Sequence, residues 1–181
     1  MSDIKFKTIV ADPPWRYRNV KTGGSMKSGS AAKYPTLSLE EICALPVKEI
    51  SDKNSVLCLW VPTPLLDHGF EVMKHWGFHY KTAIYWRKLG RLGMGFWLRG
   101  QVEPCLVGVR GRVKAWRLQK PNIIQSHPRE HSRKPEEFWE LIDPIVIDPK
   151  IELFCRGTPR SGWYGWGKDC EIPPPPPMAM F

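Results

Sequence analysis

The chain has 181 residues, 42% of them apolar and 25% charged, which suits one compact core and leaves little for a second. No apolar run reaches the ~18 to 20 residues of a membrane helix, and Met1-Ser2-Asp3-Ile4-Lys5-Phe6 has no apolar signal core, so a cytoplasmic protein is expected. A net charge of +9 favours a polyanionic partner, and nine tryptophans among the cations offer faces for unpaired bases, though a solvated basic surface and a tryptophan-rich core are the competing readings.

Residues Lys5 to Ala11 form a short β-rich run that stops at Asp12-Pro13-Pro14, because proline cannot donate to a ladder. A strand therefore delivers Asp12 to its carboxyl end. From Arg16 to Pro35 the chain is rich in Gly, Ser, Lys and Arg without apolar period and reads as a long loop. Ser38-Leu39-Glu40-Glu41 has capping-box spacing and opens a short helix that Pro46 closes.

Ser55 to Val61 reads as a buried strand. Thr63-Pro64 supplies a cap and a first-turn proline for a helix to about Trp76, with Leu65, Leu66, Phe70, Met73 and Trp76 on its apolar face. Strands follow at Phe78 to Trp86 and Glu103 to Arg110, separated by a loop from Arg87 to Gln101. A short strand around Ile123 to Gln125, a helix opened by Pro135 and running to about Ile142, and a last strand from Lys150 to Phe154 complete the pattern. Strands alternating with helices predict an α/β fold, a mostly parallel sheet covered on both faces, with ligands at the carboxyl ends of its strands. Residues 1–172 are expected to form one domain, and the proline run within 173–181 an extended or disordered tail.

Asp12-Pro13-Pro14-Trp15 is the most informative tetrapeptide. The exocyclic amine of adenine is a poor nucleophile because its lone pair is delocalised into the ring. The Asp12 carboxylate and the Pro13 carbonyl, accepting its two N–H bonds, would draw that nitrogen toward tetrahedral geometry, while Trp15 offers a flat face for the base. As a bare tripeptide, Asp-Pro-Pro is more often a simple turn.

The wider pattern decides between these readings. The segments Ile9 to Trp15, Tyr34 to Ser38, Leu59-Trp60-Val61, Glu103 to Val109, His131 to Pro135 and Ile151 to Phe154 stand in an order that resembles the MT-A family, named for the seventy-kilodalton subunit of the messenger-RNA adenosine methyltransferase. The resemblance runs from about Thr8 to Gly167. It implies a Rossmann-like methyltransferase fold with permuted motifs, catalytic block first and cofactor block last, using S-adenosylmethionine to methylate N6 of adenine in nucleic acid. DNA is the favoured polymer, because a chain this compact looks like stand-alone prokaryotic or phage-type members. RNA is the alternative.

The same resemblance implies that Asp12, Pro13 and Pro14 form the catalytic turn, that Trp15 and Tyr34 flank the base, that Glu103 lies beside the base pocket, and that Ser132 and Lys134 lie between base and cofactor. Glu152, Leu153, Arg156 and Asp169 match the cofactor-binding edge. The pattern departs at Gly167-Lys168-Asp169, where relatives commonly carry Gly-Asn followed by Gln or Glu, and Lys168 has no acceptor to replace an amide. Some subunits of this family keep the fold without activity, but these lose the acidic first residue of the motif that is intact here.

Other residues keep two readings each. Lys134 suits the carboxylate of the cofactor's methionine, or is a solvated lysine at a helix start. Glu103 faces the substrate base, or pairs with Arg99 or Arg110. The basic stretches Arg87 to Arg91 with Trp97 and Arg99, and Arg110 to Arg117, suit phosphate and base contacts. The five scattered cysteines read as buried thiols, and His127, His131 and Cys155 match no common metal spacing, so no metal is expected.

Overall fold

The structure, a computed structural model, describes residues 4–17, 35–90, 92–93, 97–129 and 133–171. The first strand, β1 (Phe6–Ala11), is followed in chain order by helices α1 (Leu39–Cys43) and α2 (Val47–Ile50). Then come β2 (Ser51–Trp60), α3 (Leu66–His75), β3 (His79–Lys88), β4 (Val102–Arg110), β5 (Ile123–Ser126), α4 (Glu136–Ile142) and β6 (Lys150–Leu153). Three short strands follow: β7 (Arg156–Gly157), β8 (Tyr164–Trp166) and β9 (Asp169–Cys170).

The main sheet has the order β5-β3-β4-β2-β1-β6-β8, and β7 pairs with β9 separately. All neighbours in the main sheet are parallel except that β4 runs antiparallel to both β2 and β3. After β1 the chain builds outward on the β2 side, then returns through α4 to place β6 on the other flank of β1. The strand order therefore reverses at β1 and β6, and the crevice beyond their carboxyl ends is where such sheets bind ligands.

The period of two along the strands sorts side chains between two cores. Ile9, Ala11, Leu57, Leu59, Leu106, Ile151 and Leu153 pack with Ile42, Val47, Ile50, Val72, Met73 and Trp76 of the α1 to α3 side. Val10, Val56, Cys58, Trp60, Ile84, Trp86, Cys105 and Val107 pack with Phe138, Trp139 and Ile142 of α4 on the opposite side. Gly69 of α3 sits where a Cβ would meet the Val61 side chain at 2.6 Å, which lets the helix lie close on the sheet.

The predicted capping box is present: the Ser38 hydroxyl accepts from Glu41 N, and the Glu41 carboxylate accepts from Ser38 N at 2.6 Å. Three local expectations change. Thr63 does not cap its helix; its hydroxyl donates to the Val102 carbonyl at 2.7 Å, and Thr63–Leu65 forms a 3-10 turn before α3. Phe70 is exposed against Tyr80, and Gly69 and Val72 take the buried face instead. Lys150–Leu153 is not the last strand, since β8 adds to its edge. The loop predicted from Arg16 to Pro35 lies mostly outside the described residues, as does the proline tail. Of the cysteines, Cys58, Cys105 and Cys155 are buried, Cys43 and Cys170 are half-buried, and none is in a disulfide.

Candidate active site

Parity along the strands places the ionisable groups. Ala11 faces the α1 to α3 core, so Asp12, one residue on, emerges toward α4. Glu152 is the register partner of Val10, which faces α4. Glu103 pairs with Trp86 across β3 and β4, and Lys88 lies two residues beyond Trp86 on the same face. Lys134 arrives from the other direction, just before α4. Five charged side chains thus converge at one end of one sheet face.

The Lys134 ammonium is the hub. Its Nζ lies 2.9 Å from Asp12 Oδ1 and 2.6 Å from Glu103 Oε1, and 5.1 Å from the centroid of the Trp60 ring. Lys88 Nζ reaches the second Glu103 oxygen at 2.5 Å and lies 4.8 Å from the Trp86 ring centroid. The Lys134 and Glu103 side chains are 13% and 15% exposed, whereas Asp12 is 31% exposed and forms the open end of the chain of charges.

The titration of each group follows from these neighbours. Burial raises the Asp12 carboxyl, with Lys134 opposing and Glu103 reinforcing, and the net result lies above the ordinary aspartate range. Burial would also raise Glu103, but two ammonium groups overcome it and hold that carboxyl low. Burial lowers Lys134, and its two carboxylates reverse that effect and push it up. Glu152 is raised to about 7, first by burial and then by the negative charge of Asp12. Glu103 is thus a fixed anion, and Glu152 is poised to gain or lose a proton near neutrality.

The turn itself is tightly held. Trp15 N donates to the Pro13 carbonyl at 2.8 Å, and Leu37 N donates to the Pro14 carbonyl at 2.9 Å. A carbonyl has two lone pairs, so Pro13 retains one for a further donor. Trp15 is 6% exposed, its ring lies in the α1 to α3 core and its Nε1 donates to the Trp60 carbonyl at 3.0 Å. It anchors the turn, and its faces are covered by the core where an open face was expected.

The remaining expected residues divide. Leu153 is buried with its side chain on the side opposite Asp12, and its carbonyl accepts from Asp12 N at 3.5 Å. Arg156 is exposed, and its positive charge is felt at Asp12. Asp169 is exposed on β9, paired in register with Arg156. Trp97, 98% exposed, and Arg99 stand out on the segment before β4. Tyr34 and Ser132 lie outside the described residues, as does His131.

Glu103 pairs with neither Arg99 nor Arg110; Arg110 instead donates to the Lys48 carbonyl at 2.6 Å. Lys88, Trp60 and Trp86 were not singled out individually from sequence. The signal for Lys88 was its parity with Trp86, but its meeting with Glu103 needs the antiparallel register of β3 and β4. Tyr17 also reaches this region: burial raises its phenol, as do the charges of Glu103 and Asp12.

The donor set can hold a bound organic group with both acidic and basic ends. Lys134 offers an ammonium, Glu152 and Asp12 offer acceptors, and Trp60 Nε1, buried beside Lys134, has no hydrogen-bond partner among the described residues.

The MT-A70 family model matches residues 6–169. A Mycoplasma protein named type II methyltransferase M.MunI is 33% identical over 93% of this chain and 78% of its own length. A Medicago truncatula protein named putative N(6)-adenosine-methyltransferase MT-A70-like is 31% identical, and the human N(6)-adenosine-methyltransferase catalytic subunit METTL3 is 29% identical, each over 90% of this chain. The chain spans 26% and 27% of those two longer proteins. With a match that extends from the first residue of β1 to the first residue of β9, the chain belongs to the MT-A70 family.

Proposed function

We infer that the protein transfers a methyl group from S-adenosylmethionine to the exocyclic N6 amine of adenine in nucleic acid, with DNA as the favoured polymer. The observation that carries this reading is the placement of Asp12 at the end of β1, partly open, in the crevice where the strand order reverses, with Lys134 and Glu103 behind it. The cofactor supplies an electrophilic methyl group on a sulfonium. Lys134 is suited to its carboxylate, and Glu152 and Asp169 to hydroxyl groups at its other end, with Arg156 and the Leu153 backbone beside them.

In this reading the Asp12 carboxylate and the free lone pair of the Pro13 carbonyl accept the two N–H bonds of the amine and aim its lone pair. Pro14 keeps the turn free of competing donors. Lys134 holds Asp12 Oδ1, and the second carboxylate oxygen is available to accept from the amine. Lys88 shares Glu103 with Lys134 and helps to neutralise that second carboxylate. Trp97 and Arg99 hold the polymer strand, and Tyr34 and Ser132 border the base. The base must be single-stranded or flipped out at a cost of a few kcal/mol.

The +9 charge supports a polyanionic substrate. The share of the Mycoplasma methyltransferase that this chain covers favours DNA over the RNA alternative. The intact Asp12 argues against a silent partner subunit. No helix among the described residues is long and apolar enough to cross a membrane.

The test is transfer of labelled methyl to unmethylated DNA and RNA by wild type and Asp12→Ala, with the product nucleoside identified. The expected outcome is N6-methyladenine, with a loss on the order of a hundredfold or more in the variant. Transfer that survives the substitution, or a different methylated base, would refute the reading.

A further inference from the structure

A second group of ligand-type side chains lies away from the sheet end, between α1 and α3. Cys43 is the last residue of α1, and Glu71 and His75 stand one turn apart on α3, so helical spacing puts both on one face. The Cys43 thiol, a Glu71 carboxylate oxygen and a ring nitrogen of His75 all lie within 4.8 Å of one another. They line a cleft of about 330 Å³ together with Leu39, Glu40 and Ala44.

Two features separate this trio from a chance cluster of surface groups. His75 Nδ1 lies 3.0 Å from the Glu71 carbonyl, and because a carbonyl oxygen only accepts, Nδ1 is the donor in that contact and Nε2 is the nitrogen left to face a ligand. Ligating histidines are commonly fixed in this way, by a carbonyl on the other nitrogen. The chemistry of the donors is also mixed. A thiol, an imidazole and a carboxylate converge from two elements.

We propose that Cys43, Glu71 and His75 form a divalent transition-metal site, with zinc the fitting ion and water completing a tetrahedral shell. Magnesium and calcium take oxygen ligands, whereas a thiolate with imidazole selects softer ions. Zinc bonds of about 2.0 to 2.3 Å bring tetrahedral ligand atoms to within about 3.3 to 3.8 Å of each other. From a spread of up to 4.8 Å the trio must draw in by about an ångström to reach that spacing.

The site staples α1 to α3. The segment that leads into α1 pairs with the catalytic turn, since Leu37 N donates to the Pro14 carbonyl and Arg16 N to the Leu37 carbonyl at 3.1 Å. A bound metal therefore braces the limb that holds Pro14 to Arg16. This proposal does not depend on methyl transfer.

The test is titration of the reduced full chain with Co²⁺, followed by displacement with Zn²⁺. A thiolate-to-cobalt charge-transfer band should grow to one equivalent, collapse on addition of zinc, and be lost in Cys43→Ser while persisting in Cys170→Ser. His75→Gln, an exposed position that spares the core, should weaken cobalt binding at least roughly tenfold. Zinc should raise the Tm of wild type by several degrees and leave that of His75→Gln unchanged. Absence of the band, its survival in Cys43→Ser, or undiminished cobalt affinity in His75→Gln would overturn the proposal.

Discussion

Replacing Lys134 with methionine removes the cation from between two carboxylates while keeping much of its apolar stem. Glu103 retains Lys88 at 2.5 Å, so the main loss falls on Asp12, whose partner at 2.9 Å disappears. Breaking one side of a buried ion pair costs about 3 to 5 kcal/mol. Asp12 has an escape, because it can take up a proton. Protonating a carboxyl of ordinary value 3.8 at pH 7 costs about 1.4 kcal/mol per pH unit, which caps the penalty at about 4 kcal/mol. At pH 5 the same cap falls to between about 1 and 2 kcal/mol.

Lys134→Met should therefore destabilise the protein by about 3 kcal/mol at pH 7, corresponding to a Tm loss of about 6 to 12 °C, and by less than half of that at pH 5. The sign follows from proton linkage. Without Lys134 the folded Asp12 carboxyl rises further above its unfolded value, the folded state binds more protons, and stability falls as pH rises through that interval. Urea unfolding of wild type, Lys134→Met, Asp12→Asn and the double variant at both pH values measures it. The double variant should recover most of the loss. A penalty that is independent of pH, or additive with Asp12→Asn, would show that Lys134 acts through packing and not through the charge of Asp12.

Lys88→Met leaves Glu103 with one cation, so its carboxyl should rise. In methyl-transfer assays kcat should drop by roughly tenfold with the acid limb of the pH profile shifted upward, and Lys88→Arg should restore much of it. Glu152, raised to about 7, gives stability that is present in acid and lost as pH rises from 4.5 to about 7, because the unfolded chain releases that proton first. Relative to Glu152→Gln, wild type should lose about 1.4 kcal/mol per pH unit across that window in urea unfolding, and a flat difference would contradict the assigned burial. Trp97→Ala should change stability by less than about 0.5 kcal/mol, since the ring is 98% exposed, but weaken nucleic-acid binding by roughly tenfold if the ring stacks on a base. Fluorescence anisotropy with labelled oligonucleotides separates these effects.

Local features of the chain were enough to place several elements. Proline punctuation after a β-rich run located Asp12 at a strand end, and the Ser38 to Glu41 spacing located the start of α1, because both depend on interactions within a few residues. The resemblance of ordered blocks pointed to the family, and the alternation of strands and helices to a mostly parallel sheet. The antiparallel direction of β4 was not legible, since a strand reads the same in either direction and its pairing depends on neighbours far along the chain.

The candidate site shows the same division. Local chemistry singled out Asp12 and Lys134, and the family resemblance added Glu103 and Glu152. Which of them meet was decided by tertiary structure alone. Sequence proximity suggested Arg99 or Arg110 for Glu103, yet the cations that reach it are Lys88 and Lys134, 15 and 31 residues away, brought there by the β3 to β4 register and the approach to α4. The motif and the resemblance gave Trp15 an open face toward the base, and folding buried it against residues the local pattern does not contain. Local propensity and spacing act over a few residues and are written in the sequence, whereas charge pairing and burial depend on distances in space that only the packed sheet defines.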